Sequence, residues 1–142
     1  MQPELVIFVG LQASGKSTWY RTHMAATHVH LSNDLMPRSS EKAMQQSIAD
    51  ALTAGRSVAV DNTSATPKRR AALIALGQRH GARIVAIHFA STTRASVARN
   101  RGREGRERVP DVAIFATAKR LTPPTLEEGF HEVRFVDAFA EV

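Results

Sequence analysis

The chain has 142 residues, the length of one ordinary domain, with 43% hydrophobic and 23% charged residues, a balance that excludes a disordered tail, a collagen-like chain and a coiled coil. It holds no cysteine, which excludes disulfides, thiolate metal sites and a cysteine nucleophile. The net charge is +6, and fifteen of the nineteen cations are arginine, whose fork fits phosphate oxygens, so the balance favours an anionic partner such as a nucleotide or nucleic acid.

Strands alternate with helical stretches, the pattern of a parallel α/β sheet. Residues 5–9 form a continuous apolar run ending at Gly10, as a strand buried on both faces should. A helix is predicted over about 15–26 and a second strand over 28–31. Ser39 or Ser40 can cap a helix running to about Thr53, with Met44, Ile48 and Leu52 on one face and Gly55 ending it. A third strand spans 57–60 and closes on Asp61. Thr66 can cap the next helix, with Pro67 at its first position and an end near Gly81. A fourth strand spans 83–89. Thr92 or Thr93 caps an arginine-rich helix to about Arg103, Asp111 opens another that stops before Pro123 and Pro124, and a fifth strand covers 131–136. Five strands joined by right-handed crossovers give a three-layer αβα sandwich.

Between the first strand and the first helix stands Gly10-Leu-Gln-Ala13-Ser14-Gly15-Lys16-Ser17, a match to GxxxxGK[ST]. Gly10 and Gly15 allow positive φ, so the loop can wrap its N–H groups around phosphate oxygens. Lys16 reaches the β- and γ-phosphates, and the Ser17 hydroxyl can ligate Mg²⁺. Asp61 ends the third strand and Asp34 follows the second. Both carboxylates should face the loop, because the carboxyl ends of parallel strands line the ligand crevice. One can orient metal-bound water while the other accepts the proton of an attacking hydroxyl. Arg38, four residues past Asp34, can hold an acidic substrate. Six arginines fall within residues 94–108, among them Arg99 and Arg103, which share a face if the helix survives Gly102. Gly102 and Gly105 suit a closing lid over about 92–109.

Taken together, Gly15-Lys16-Ser17-Thr18-Trp19, Ser32-Asn33-Asp34, Asp61-Asn62-Thr63, Arg99-Asn-x-x-Arg103 and Pro124-Thr-Leu-x-Glu128-Gly-Phe130 resemble the kinase domain of polynucleotide 5′-kinases, over residues 5 to about 136. The resemblance implies a single-domain P-loop kinase over 1–142, using ATP and Mg²⁺ to phosphorylate the 5′-OH of a DNA or RNA end. It implies an ATP site built from the loop residues with Thr18, Arg99 and Arg103, and an acceptor side built from Asp34 as general base with Arg38, Asp61 and Thr63. Arg103 would be the transition-state contact. In that family the arginine follows the catalytic aspartate by three positions, whereas here Arg38 follows Asp34 by four. A small-molecule or toxin-type kinase is the second expectation, and a nucleotide-binding ATPase or switch without an acceptor is the third. The six histidines are scattered and complete no zinc set, and Trp19 and Tyr20 are expected to pack on the sheet. No apolar run approaches a membrane span and no signal-peptide pattern opens the chain, so the expected location is the cytoplasm.

Overall fold

An unbroken run of large apolar side chains is stable only in a strand covered on both faces. In the computed structural model, which describes residues 2–33 and 40–139, that run is β1 (Glu4–Val9). Leu5, Val6, Ile7, Phe8 and Val9 are all 0% exposed. The chain continues through α1 (Lys16–His23), β2 (His28–Leu31), α2 (Glu41–Thr53), β3 (Ser57–Val60), α3 (Pro67–Arg79), β4 (Arg83–Phe89), α4 (Thr93–Asn100), α5 (Asp111–Arg120) and β5 (Glu132–Val136). The five strands form one parallel sheet in the order β2-β3-β1-β4-β5, with Ile7 of β1 opposite Val60 on one side and Ala86 on the other.

The alternation hidden in β1 sorts the core into two layers. Leu5, Ile7 and Val9 meet Ile48 and Leu52 of α2 and Leu73 and Ile74 of α3. Val6 and Phe8 face the other way, onto Trp19 and Tyr20 of α1. Each such side chain contributes about 1.5–3 kcal/mol by leaving water. A smaller cluster of Leu11, Val97 and Ile114 joins α4 and α5 to the loop after β1. Helix starts follow the predicted caps. Ser40 accepts from Ala43 N–H at 3.0 Å, Thr66 from Arg69 N–H at 3.3 Å with Pro67 first in the helix, and Thr92 from Ala95 N–H at 3.0 Å.

Two helices end earlier than expected. Helix α1 stops at His23 because the chain turns on Met24, whose carbonyl accepts from both Thr27 and His28 N–H. Helix α4 stops at Asn100 rather than Arg103. Gly102 costs about 1 kcal/mol in a helix relative to alanine, and the Asn100 side chain is spent elsewhere, as described below. Arg99 and Arg103 therefore do not share a helix face.

One buried interaction ties α3 to the segment after α5. Arg70 of α3 is 0% exposed and pairs with Glu128 through Nε–Oε1 at 2.8 Å and Nη2–Oε2 at 3.1 Å. Its Nη1 donates to the carbonyls of Ser64 at 2.8 Å and Thr122 at 3.1 Å. Glu128 also accepts from Thr125 N–H at 2.8 Å. The 124–130 segment quoted above is thus a strap. Its Phe130 enters the core, and Gly129, at φ 118°, sits where a Cβ would lie 2.9 Å from Ile74 Cγ2.

Burial pushes the Glu128 carboxyl up, but the hydrogen bonds and charge of Arg70, with those of Thr125, outweigh it and hold its pKa below the ordinary carboxylate value. Glu128→Gln leaves a buried guanidinium without its counter-charge and should cost about 3 kcal/mol in denaturant unfolding at neutral pH. Because the folded pKa is depressed, that contribution is complete above the unfolded-state pKa and is lost as pH falls through the folded one. The gap between wild type and variant should accordingly close in acid.

Candidate active site

Parallel strands present their carboxyl ends on one edge, and ligands lie where neighbouring connections leave in opposite directions. From β1 the chain goes through α1 to β2 at one edge, while from β3 it crosses through α3 to β4 on the other side. The loop after β1 opens at that point. Ala13 and Gly15 take positive φ, 58° and 92°, whereas Gly10 does not, contrary to expectation. Gly10 serves close approach instead: a Cβ there would lie 3.1 Å from Phe89 Cβ, and its N–H donates to Thr63 O at 3.1 Å. Gly15 is required on both counts, since an added Cβ would also lie 2.8 Å from Ala138 Cβ.

The Lys16 amine lies inside the loop, 2.6 Å from Leu11 O and 3.1 Å from Gly10 O. Ser17 Oγ donates to Asp61 Oδ2 at 2.5 Å, and His30 Nε2 lies 2.7 Å from the same oxygen. Burial of Asp61 pushes its carboxyl up, but the hydrogen bonds from His30 and Ser17, then the charge of Lys16, hold it below the ordinary value. Asp61 is therefore an anion at neutral pH, placed behind the Ser17 hydroxyl. Tyr20 stacks on His30 at 4.1 Å between centroids, and its hydroxyl donates to His28 O.

A cavity of about 230 Å³ lies over this group, lined by Ala13, Ser14, Lys16, Ser17, Asp61 and Thr63, with Arg103 also on its wall. Arg103 reaches it from residues 101–108, a loop pinned by Asn100. That side chain is 0% exposed, donates to Val109 O at 2.6 Å and accepts from Val109 N–H at 3.0 Å. Arg99 faces elsewhere. Its Nε donates to Ala13 O at 2.7 Å and its Nη2 to Ser91 Oγ at 2.7 Å, and its guanidinium lies 4.0 Å from the Phe139 ring centroid. There it lines a separate cavity of about 750 Å³, with Leu11, His88, Leu121, Asp137 and Phe139. Burial, with the charge of Arg70 second, pushes His88 below the ordinary imidazole value, so that ring is neutral at neutral pH. A third cavity, about 710 Å³, shares Asn33, Asn62 and Thr63 with the loop-side cavity.

Of the residues singled out in the sequence, Ala13, Ser14, Gly15, Lys16, Ser17, Asp61, Thr63 and Arg103 converge on one cavity. Gly10 supports the loop from behind, Thr18 lies outside the cavity as an exposed residue, and Arg99 belongs to the neighbouring one. Asp34 and Arg38 lie outside the described residues. Asn33, next to Asp34, donates its N–H to Asn62 Oδ1 at 3.0 Å. Three functional neighbours were not anticipated. His30 has an acidic partner in Asp61, Asn100 fixes the loop that carries Arg103, and Arg70 holds the Ser64 carbonyl next to Thr63.

The family described as an AAA domain matches residues 5–124. The chain belongs to that family. It is 29% identical over 136 residues, 94% of its own length, to a bifunctional polynucleotide phosphatase/kinase of Schizosaccharomyces pombe, and it spans about a third of that protein's length (33%). A fungal RNA kinase structure shares the fold with TM-score 0.73 at 14% identity, covering 96% of this chain and 38% of that one. A sugar kinase from Janibacter sp. HTCC2649 does so with TM-score 0.70 at 16% identity, covering 96% and 86%. The fold of this AAA domain is that of P-loop kinases, and nucleotide binding follows from its phosphate loop. No helix among the described residues is long and apolar enough to cross a membrane.

Asn100→Ala should leave the half-buried Val109 N–H and C=O without their Asn100 partners, at a cost of about 1 kcal/mol. Hydrogen exchange should show the Val109 amide losing its protection while the amides of β1 keep theirs. Unchanged protection at Val109 would remove the pinning role.

Proposed function

We propose that the protein transfers the γ-phosphate of ATP to the 5′-hydroxyl of a DNA or RNA end. The observation that carries this reading is the cavity over the Lys16–Ser17–Asp61 group, which shares the wall residues Asn33, Asn62 and Thr63 with a second cavity on the side of β2 and β3. The donor phosphates lie in the loop and the donor nucleoside in the cavity lined by Arg99 and Asp137. The acceptor enters from the other side, past Asn62. The 29% identity to a polynucleotide phosphatase/kinase supports the acceptor class. The fold shared with a sugar kinase favours a second reading, a small-molecule acceptor on the same scaffold.

The residues present suit Mg²⁺. A hydroxyl backed by one ionised carboxylate is the sparse set that leaves this ion its waters and the donor phosphates as ligands. Ser17 would hold it with Asp61 behind, and when bound it neutralises charge on the β- and γ-oxygens. Asp34 accepts the proton of the attacking hydroxyl as its oxygen bonds to the γ-phosphorus, and the bond from that phosphorus to the bridging oxygen breaks to release ADP. Lys16 holds the donor phosphates, Arg103 stabilises the charge of the transferring group, and Arg38 and Thr63 position the acceptor. Residues 92–109 close over the donor as a lid, within a kinase domain spanning 1–142.

The test is transfer from γ-labelled ATP to a 5′-hydroxyl oligonucleotide, beside a 5′-phosphorylated control. Label should appear on the 5′-hydroxyl strand alone; labelling of neither strand, with ATP still bound, would overturn the acceptor assignment. Asp34→Ala should abolish transfer while leaving ATP binding nearly intact, and a fully active variant would remove its role as base. Lys16→Ala should lose both binding and transfer. Arg103→Ala should lower kcat about 10³-fold.

A further inference from the structure

Four side chains from α1, β2 and the end of β3 close a ring beside the phosphate cavity. Ser17 and Tyr20 stand three residues apart on α1 and so share a face of that helix. His30 of β2 lies opposite Ala59 of β3, which packs on the face of the sheet that α1 covers. Asp61 reaches the same helix: its Oδ2 accepts from Ser17 Oγ at 2.5 Å and lies 2.7 Å from His30 Nε2. The His30 ring in turn stacks on Tyr20, with 4.1 Å between centroids and 17° between planes. The Tyr20 hydroxyl donates to His28 O, two residues back along β2. Asp61 N–H donates to Leu31 O at 2.7 Å, which ties the two strand exits together. The Asp61 side chain is 4% exposed and that of His30 18%.

The geometry points to His30 as a positioning residue for the divalent cation, acting through Asp61. The inference rests on the Mg²⁺ placement given under Proposed function and deepens it, and it does not depend on the acceptor. A carboxylate anion only accepts, so the bond to Asp61 puts a proton on His30 Nε2. A hydroxyl that holds a cation must turn a lone pair outward, and it can do so only while its proton has a fixed acceptor. Held by Ser17 alone, Oδ2 would follow the hydroxyl as the Asp61 carboxylate pivots. The second donor comes from another strand and is itself held flat by Tyr20, so Oδ2 keeps its place. Donors standing behind a metal's ligands orient them, and losing one typically costs about 10–100-fold in metal affinity. The grip on the donor phosphates comes from Lys16 and the loop backbone. Loss of His30 should therefore show in cation dependence and not in nucleotide binding without cation.

The test uses the full chain and follows binding of a fluorescent ATP analogue by anisotropy, first in EDTA and then across a Mg²⁺ series. His30→Phe keeps a ring against Tyr20 and loses the donor. His30→Asn carries its amide only as far as the Nδ1 position, whereas His30→Gln carries it as far as Nε2. Wild type should bind more tightly as Mg²⁺ rises. His30→Phe and His30→Asn should need about 10-fold more Mg²⁺ for half of that gain, and His30→Gln should return to within about 2-fold of wild type. Affinity in EDTA should be that of wild type in all three, which also shows that they fold; a matching loss in EDTA would reduce His30 to a structural role. A wild-type Mg²⁺ midpoint in both loss variants would overturn the positioning role. So would a His30→Gln variant as impaired as they are, because packing and not the N–H would then be at work. Wild-type binding indifferent to Mg²⁺ would overturn the cation placement itself and the positioning role with it, while the acceptor assignment stands or falls on the transfer assay.

Discussion

Strand β1 is sealed on four sides, by strands at both edges and by side-chain layers on both faces. Nothing polar can be presented along its length, so chemistry gathers where it ends. There the backbone turns sharply enough to demand left-handed conformations at residues 13 and 15. The same turn lets the lysine amine fold back onto the carbonyls of its own loop. A phosphate arriving in this loop meets a charge already in position, which is how an electrostatic site avoids reorganisation when charge develops.

Two clamps built from buried polar side chains set the walls around that loop. Arg70 with Glu128 fixes the exit of β3, and Asn100 with the backbone of Val109 fixes the arginine-bearing turn after α4. Both are fully hydrogen-bonded networks, the form in which buried polarity adds rigidity. One braces the exit of β3 against the strap, and the other closes the loop after α4 upon itself. Arg99, in the last turn of α4, and Arg103, in the loop after it, thereby serve different places, Arg103 over the phosphate loop and Arg99 beside the β4 exit.

Most of the fold was legible because its signals are local. The apolar runs, the caps at Ser40, Thr66 and Thr92, and the glycine-rich loop each act within a few residues. The family resemblance was readable for the same reason, from short motifs in the right order. What escaped was set by contacts distant in sequence. Arg70 and Glu128 lie 58 residues apart, so a cation inside an amphipathic helix and a carboxylate in a strap give no sign of one another. His30 reads as one of several scattered histidines until β2 and β3 pair and bring it to Asp61. The end of α4 was misjudged because the i, i+4 spacing of Arg99 and Arg103 suggests a continuous helix, while the tertiary bonds of Asn100 and the cost of Gly102 break it.

The Phe139 ring rests on the Arg99 guanidinium, and a Cβ on Gly15 would strike the same segment. A planar ligand group that stacks on that guanidinium must displace the ring or share the cation with it. Linkage is reciprocal, so whatever factor such a ligand imposes on the seating of residues 137–139, those residues impose on the ligand. On the proposed placing of the donor nucleoside, the stretch past the last strand would take part in that ligand's equilibrium, coupled through one arginine to the loop at the opposite end of the sequence.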